Sequence, residues 1–126
     1  LDDFKIINDA HGHLAGDQVL SQVAGLVTRH IRVTDYAFRY GGEELMVVLP
    51  ECALSKACSV AENLRVRVAE RPIELEHGSQ IKVTCSIGVA EFQSHPDFMQ
   101  VIEAADRQLY QAKHAGKNRV LPAPKS

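Results

Sequence analysis

The order of apolar patterns predicts an α+β fold, one layered domain with a central, mostly antiparallel sheet flanked by helices. Three observations carry this. Segments with apolar residues at helical spacing alternate with apolar runs too short for helices. The pair Gly41-Gly42 separates two strand-like stretches, as a hairpin turn does. And 126 residues, 45% of them hydrophobic, suit a single core.

The elements follow in order. Phe4, Ile6 and Ile7, then Asn8-Asp9, predict a short helix ending near Gly12. From Asp17 to Ile31, Val19, Leu20, Val23, Val27 and Ile31 recur at helical period, with Asp17 near the N-terminus, where the helix dipole favours an anion. Asp35 to Tyr40 predicts a strand, and Gly41-Gly42 a two-residue turn of the I′ kind. Leu45 to Leu49 is nearly all apolar, so a central strand buried on both faces is expected, ended by Pro50. Leu54, Ala57, Ala61, Leu64 and Val68 mark a helix that stops before Pro72. Residues 73–75 and 81–92 predict strands joined by a turn at His77-Gly78. Pro96 to Ala115 predicts the last helix, capped by Gly116, and 119–121 a short closing strand. Residues 122–126 are a tail. The two opening helices have no strand ahead of them to pack on. A first central strand is therefore expected before Leu1, and the chain is expected to be a fragment of a longer protein.

The net charge of −2 and a pI near 6.3 argue against a nucleic-acid partner. Cys52, Cys58 and Cys85 are odd in number and form no C-x-x-C pair. They point to reduced thiols in a cytoplasmic compartment and to no zinc site, whether or not the parent protein is membrane-anchored. No apolar run approaches the roughly 20 residues of a membrane span, and no secretory leader is expected.

Four clusters could carry chemistry. At the hairpin, Gly41 and Gly42 would let a phosphate or ribose approach the backbone. Glu43 and Glu44 follow, and carboxylates suit Mg²⁺, which is held by one or two of them plus substrate phosphates. The plain alternative, a tight turn with two solvated glutamates, is the more common meaning of such a turn alone. In the opening stretch, Asn8 and Asp17 are either helix caps or a guanine-reading pair. The carboxylate would accept from the ring N–H and 2-amino group that adenine lacks. His11 and His13 fit turn residues better than metal ligands. Lys113 and Lys117 are expected one helical turn apart on one face, and either bind phosphate or complement a helix C-terminus. Arg32 and Asp35 are either a salt bridge or an arginine fork open to phosphate or guanine.

Weak singly, the signals stand in a specific order: F-K-x-I-N-D-x-x-G-H-x-x-G-D-x-x-L, R-x-x-D, R-Y-G-G-E-E, A-E-x-x-R, T-x-S-I-G-V-A, A-D-x-x-L-Y-x-A-K and G-x-N-R. Together they resemble the GGDEF family, the bacterial diguanylate cyclases, over residues 1–121. The resemblance implies a palm-like nucleotidyl-cyclase fold. It also implies condensation of two GTP into cyclic di-GMP with release of pyrophosphate, using two Mg²⁺ or Mn²⁺ ions per active site in a symmetric homodimer. Carried over by motif position, Asn8 and Asp17 read guanine and Leu20 packs on the base. Glu43 and Glu44 are the catalytic carboxylates and, with the Leu1 carbonyl, the metal ligands, Glu43 doubling as candidate base. Gly41 and Gly42 lie against the nucleotide. The N–H groups of Asp3 and Phe4, with Lys5, line the phosphates, and Lys113 and Lys117 neutralise the terminal ones. Arg32 and Asp35 match an inhibitory site where product binds and gives feedback.

The chain departs from the family pattern in places. The family's first metal-binding Asp and its strand fall before Leu1. Leu45 replaces the usual Phe and is expected to pack inward. Lys117 stands where Arg is common, and Asn63 where some members carry a second inhibitory-site Arg. An upstream sensory domain is expected. The rival readings are a degenerate domain that binds GTP or cyclic di-GMP to regulate a neighbour, a ligand-free dimerisation module, and an adenylyl-type cyclase. Asp17 discriminates against the last.

Overall fold

The computed structural model describes residues 1–92 and 98–124. The helices are α1 (Phe4–His11), α2 (His13–Arg29), α3 (Leu54–Glu70) and α4 (Met99–His114). The strands are β1 (Tyr36–Arg39), β2 (Leu45–Val48), β3 (Ile73–Glu74), β4 (Gln80–Ile81), β5 (Ile87–Gly88) and β6 (Val120–Leu121), with a 3₁₀ turn at Glu76–Gly78. Antiparallel pairs join β1 to β2 and β3 to β4, while β5 and β6 run parallel. The arrangement is the expected α+β class, with the strands in three two-stranded ladders.

The core lies where the helical periodicity placed it. Val19, Val23, Leu26 and Val27 of α2 meet Leu64 and Val68 of α3, with Ile73 and Val83 closing the cluster. Burying side chains of this size stabilises by roughly 1.5–3 kcal/mol each. Gly88 explains how α4 closes over β5. A Cβ there would collide with the Ala105 carbonyl and lie 3.0 Å from the Leu109 Cα, so only glycine lets the helix backbone come this close.

Several expectations are corrected. Helix α2 starts at His13, so Asp17 sits past its first turn instead of at its N-terminus. The cause is Gly12, whose φ of 92° turns the chain between α1 and α2 so that the second helix begins at once. The hairpin is not a two-residue I′ turn. Five residues, 40–44, lie between the paired Arg39 and Leu45, and neither Gly41 nor Gly42 has the positive φ that a I′ turn requires. The predicted 81–92 strand is interrupted, with ladder pairing at Gln80–Ile81 and Ile87–Gly88 only. The predicted start of the last helix at Pro96 falls outside the described residues. Its end at His114 precedes Lys117, whose φ of 63° places it beyond the helix and off the Lys113 face.

Strand β2 is half-buried and not fully enclosed. Between it and residues 85–91 runs an apolar trough of about 1000 Å³, lined also by Leu1, Leu64, Ile102 and Leu109. It separates β2 from β5, which is why the ladders do not merge. Leu45 packs inward against the core cluster, as expected for a substitute of the usual Phe.

Candidate nucleotide site

The site is built at one end of the trough, where α1, the hairpin loop and the turn after α4 converge. In the hairpin loop, the Tyr40 and Gly41 N–H groups both donate to the Glu44 carbonyl, at 2.9 and 3.3 Å. The Arg39 guanidinium donates to the carbonyls of Gly41 (3.1 Å) and Gly42 (2.6 Å). Arg39 thus ties down the loop carbonyls, a role that the residues alone did not announce. A Cβ on Gly42 would meet nothing within 4 Å, and one on Gly41 only ordinary contacts with Glu44 from 3.7 Å. The fold itself does not demand glycine at either position.

Glu43 and Glu44 are both half-buried and, with Leu1, line the same end of the trough. The Leu1 nitrogen donates to the Glu43 carbonyl at 3.2 Å, which brings the first residue onto the loop. Two carboxylates and a nearby main-chain carbonyl are hard oxygen donors of the kind Mg²⁺ or Mn²⁺ takes. Among the described residues no group of three or more His, Cys, Asp or Glu gathers.

Neither Asn8 nor Asp17 caps a helix: the flanking residues are Asp3 for α1 and Gly12 for α2, and no side chain caps either end. The capping alternative is thereby removed. The Asn8 amide lies over Gly16, and its Oδ1 is buried without a hydrogen-bond partner among the described residues. Such an orphaned acceptor costs about 1–3 kcal/mol. Asp17, next to Gly16, lines a cleft of about 490 Å³ between α2 and the hairpin, with Leu20, Arg39 and Leu45 on its walls. Leu20 is buried and Asp17 exposed, so the cleft offers an apolar wall and a carboxylate rim.

At the other wall, Asp3 takes a left-handed conformation (φ 57°) at the start of α1. Its carboxylate accepts from Lys117 Nζ at 2.5 Å, and this bond raises the lysine's pKa above its ordinary value. Phe4 is half-buried and Lys5 exposed. Lys113 is half-buried and lines the trough. The structure therefore brings Leu1, Asp3, Glu43, Glu44, Lys113 and Lys117 to one end of the fold, though Lys117 is already engaged.

Arg32 and Asp35 form a pair on the loop before β1, and of the two readings the salt bridge is realised. Arg32 Nη2 donates to Asp35 Oδ1 at 2.9 Å, Nε donates to both carboxylate oxygens, and the Arg32 N–H donates to Oδ2 at 2.7 Å. Nη2 also donates to the Pro50 carbonyl at 2.8 Å. Asn63 instead sits exposed on α3, accepting from Arg67 at 3.2 Å.

The description "Diguanylate cyclase, GGDEF domain" matches residues 1–119. The chain belongs to the GGDEF family. It is 42% identical over 120 residues to diguanylate cyclase DosC of Escherichia coli K12, covering 95% of this chain and 26% of that protein. The chain thus spans about a quarter of that relative's length. The GGDEF domain of DgcB from Caulobacter crescentus, solved in complex with c-di-GMP, superposes with a TM-score of 0.88 at 37% identity, covering 94% of this chain and 71% of that one. The active GGEEF domain of a diguanylate cyclase from Vibrio cholerae gives 0.82 at 35% identity, covering 94% and 75%. That GGEEF spelling carries the two adjacent glutamates found here as Glu43-Glu44.

Within this GGDEF fold, two residues to which the motif pattern assigns no role are structurally prominent. Gly16 is the floor on which Asn8 rests, and Asp2 is the one buried charged residue among those described. Asp3 enters the family pattern through its N–H, and Asp2, its neighbour of the same type, does not. Only the burial of Asp2, which sequence spacing does not report, separates the two.

Proposed function

We propose that this domain is a diguanylate cyclase that condenses two GTP into cyclic di-GMP and two pyrophosphates. The observation that carries the reading is Asn8. Its Oδ1 is buried without a hydrogen-bond partner among the described residues and lies against Gly16, the neighbour of the cleft residue Asp17, and an unmet acceptor there is what a purine edge would satisfy. Asp17 would accept from the guanine N1–H and 2-amino groups, and Leu20 would pack on the ring.

Gly41 and Gly42 would admit the ribose and phosphates. Lys5 and Lys113, with Lys117 once released from Asp3, would neutralise the triphosphate, beside the N–H groups of Asp3 and Phe4. Glu43, Glu44 and the Leu1 carbonyl would hold Mg²⁺ or Mn²⁺. When bound, two such ions polarise the α-phosphate and favour the ionised 3′-hydroxyl. Each 3′-oxygen attacks the α-phosphorus of the other GTP, the bond to the bridging oxygen breaks, and pyrophosphate leaves. Glu43 is the nearby candidate to take the proton. Because one domain holds one GTP, a two-fold pair of domains supplies both nucleotides. Product binding at Arg32 and Asp35 would favour an unproductive arrangement of that pair. An upstream sensory domain would set the pairing.

The domain lies on the cytoplasmic side in this reading, where GTP is available. Among the described residues no helix is long and apolar enough to cross a membrane.

A second reading has its own observation: among the described residues no group of three or more His, Cys, Asp or Glu gathers, and Lys117 is tied to Asp3. A regulatory domain that binds GTP or cyclic di-GMP without turnover would look the same. The test is to incubate the full-length protein with GTP and Mg²⁺ and resolve the products by chromatography. Cyclic di-GMP establishes the cyclase. Binding without product moves the domain to the regulatory reading, and neither result refutes the guanine pocket unless binding is also absent.

A further inference from the structure

We infer that Asp2 is a positioning residue that sets the phosphate side of the site from behind. The inference rests on the nucleotide-site reading above. Asp2 is 4% exposed, and its two carboxylate oxygens are fully engaged within the protein. Oδ1 accepts from the Ser86 hydroxyl at 2.6 Å, and Oδ2 accepts from the Thr84 hydroxyl at 2.7 Å and from the Asn118 N–H at 3.0 Å. Its own N–H donates to the Thr84 carbonyl at 3.0 Å. One carboxylate thus joins three parts of the chain that are far apart in sequence.

Each of those parts carries a piece of the site. Asp2 is flanked by the Leu1 carbonyl and by the N–H groups of Asp3 and Phe4. Asn118 follows Lys117 directly. Residues 84–86 lead into β5 at the trough. A buried carboxylate is tolerated only when hydrogen bonds satisfy it, so these three donors are conditions of the fold.

The turn after α4 shows what the carboxylate holds. Lys117 (φ 63°) and Asn118 (φ 48°) are consecutive non-glycine residues in the left-handed region. Such a conformation persists only where its surroundings impose it. Here Asn118 N–H is anchored on Asp2, Asn118 Oδ1 accepts from Arg65 Nη1 at 2.7 Å, and Lys117 N–H donates to the Ala112 carbonyl at 3.0 Å. In consequence the Lys117 ammonium projects back to the Asp3 carboxylate, one residue from Asp2. Asp2 therefore fixes both ends of the Asp3–Lys117 pair through the backbone, while its own oxygens face inward and away from any ligand role.

The test uses full-length protein and 3′-deoxy-GTP with Mg²⁺, a substrate analogue that binds but has no hydroxyl to attack with. Asp2→Asn keeps the shape but puts an N–H₂ where one acceptor was, and Ser86→Ala is the milder variant should Asp2→Asn not fold. Dissociation constants are measured with and without Lys117→Met, together with amide exchange at Lys117 and Asn118. Asp2→Asn is expected to weaken binding about tenfold, the scale of losing a partner that orients site groups. Most of the Lys117→Met effect should then vanish in the Asp2→Asn background, because the lysine is no longer placed. Ser86→Ala should show the same coupling on a smaller scale, and exchange at Asn118 should accelerate in both variants. Unchanged affinity with a lowered melting temperature, or strictly multiplicative effects with Lys117→Met, would overturn the inference and leave the functional reading standing. Wild-type protein that does not bind the analogue would overturn the functional reading. Unchanged exchange at Asn118 would then separately refute the anchoring.

Discussion

The Asn8 side chain rests on Gly16 so closely that a Cβ on Gly16 would overlap its Oδ1 and lie 3.1 Å from Phe4 Cζ. Gly16 is helical with ordinary dihedrals, so the demand for glycine comes from the neighbour and not from the backbone. Gly16→Ala should push the Asn8 amide out of place. The expected cost is about 1–3 kcal/mol of stability, typical of overpacking. GTP affinity should fall more than that destabilisation explains, since the folded fraction stays near one. Urea denaturation and GTP titration of the same variant check this. A destabilised variant with wild-type GTP affinity would remove Asn8 from the base pocket.

The helices and the family were legible in the sequence because both announce themselves by spacing. Val19, Val23 and Val27 repeat at helical period, and the order of F-K-x-I-N-D, G-D and G-G-E-E carried the family. What was not legible depends on contacts between distant residues. Asp2 and Asp3 are neighbours of one type, yet one is buried on Thr84 and Ser86 and the other faces Lys117. The hairpin differs from the expected turn because a glycine pair is compatible with several loops, and it is the pairing of Arg39 with Leu45 that shows five residues taking part. The buried character expected of β2 assumed a neighbour on each side, and the trough lies where the second would be.

Gly42 provides the converse of Gly16. Nothing lies within 4 Å of a Cβ there, and its φ is not left-handed. Gly42→Ala should therefore fold normally and gain about 0.4–1 kcal/mol by reducing the freedom of the unfolded chain. If the position serves nucleotide approach, GTP affinity should nevertheless fall by about tenfold or more, the cost of a misplaced phosphate or ribose. Melting temperature and GTP binding measured together separate the two effects. A variant that gains stability and keeps its affinity would show that the glycine pair has no ligand to admit.

Asp17 should set base selectivity, because a site built to accept from the guanine N1–H and 2-amino group leaves its carboxylate unpaired against adenine. Asp17→Asn converts an acceptor-only group into a mixed donor and acceptor. Its side chain is on the cleft rim and exposed, so stability should change by less than about 0.5 kcal/mol. The ratio of GTP to ATP affinity should drop by about tenfold, one hydrogen bond to a charged group. Competition binding gives that ratio, and an unchanged ratio would reassign the cleft.

The Arg32–Asp35 pair gives a pH dependence with a definite sign. Hydrogen bonds from Arg32 hold the Asp35 carboxyl below its ordinary value of 3.8. The native state therefore favours the ionised form. The stabilisation is present in full above the ordinary value and is lost as pH falls through the lowered native one. Asp35→Asn should flatten the acid limb of the stability curve and narrow its gap to wild type below about pH 4. Urea midpoints at pH 7 and pH 3 test this, and parallel acid limbs would mean that the pair contributes nothing. The same variant should lose feedback by cyclic di-GMP if product binds at this pair.

The cysteines offer a prediction in which two explanations separate. Burial pushes the Cys85 thiol up to about 11, and it raises Cys58 as well. Since only the thiolate reacts, about one Cys85 in a thousand is competent at pH 8, against roughly a quarter of ordinary thiols. Cys52, on the loop after β2, should be alkylated first, with Cys58 and Cys85 following slowly. Slow reaction alone would also result from steric protection, so the rate must be followed against pH. If desolvation governs Cys85, its rate keeps climbing with pH up to an inflection near 11. If access governs it, the inflection stays near the ordinary thiol value and only the plateau is low. Mass spectrometry of iodoacetamide-treated protein between pH 7 and 10 distinguishes these, because a desolvated thiol rises tenfold per unit across the whole range whereas a merely shielded one levels off.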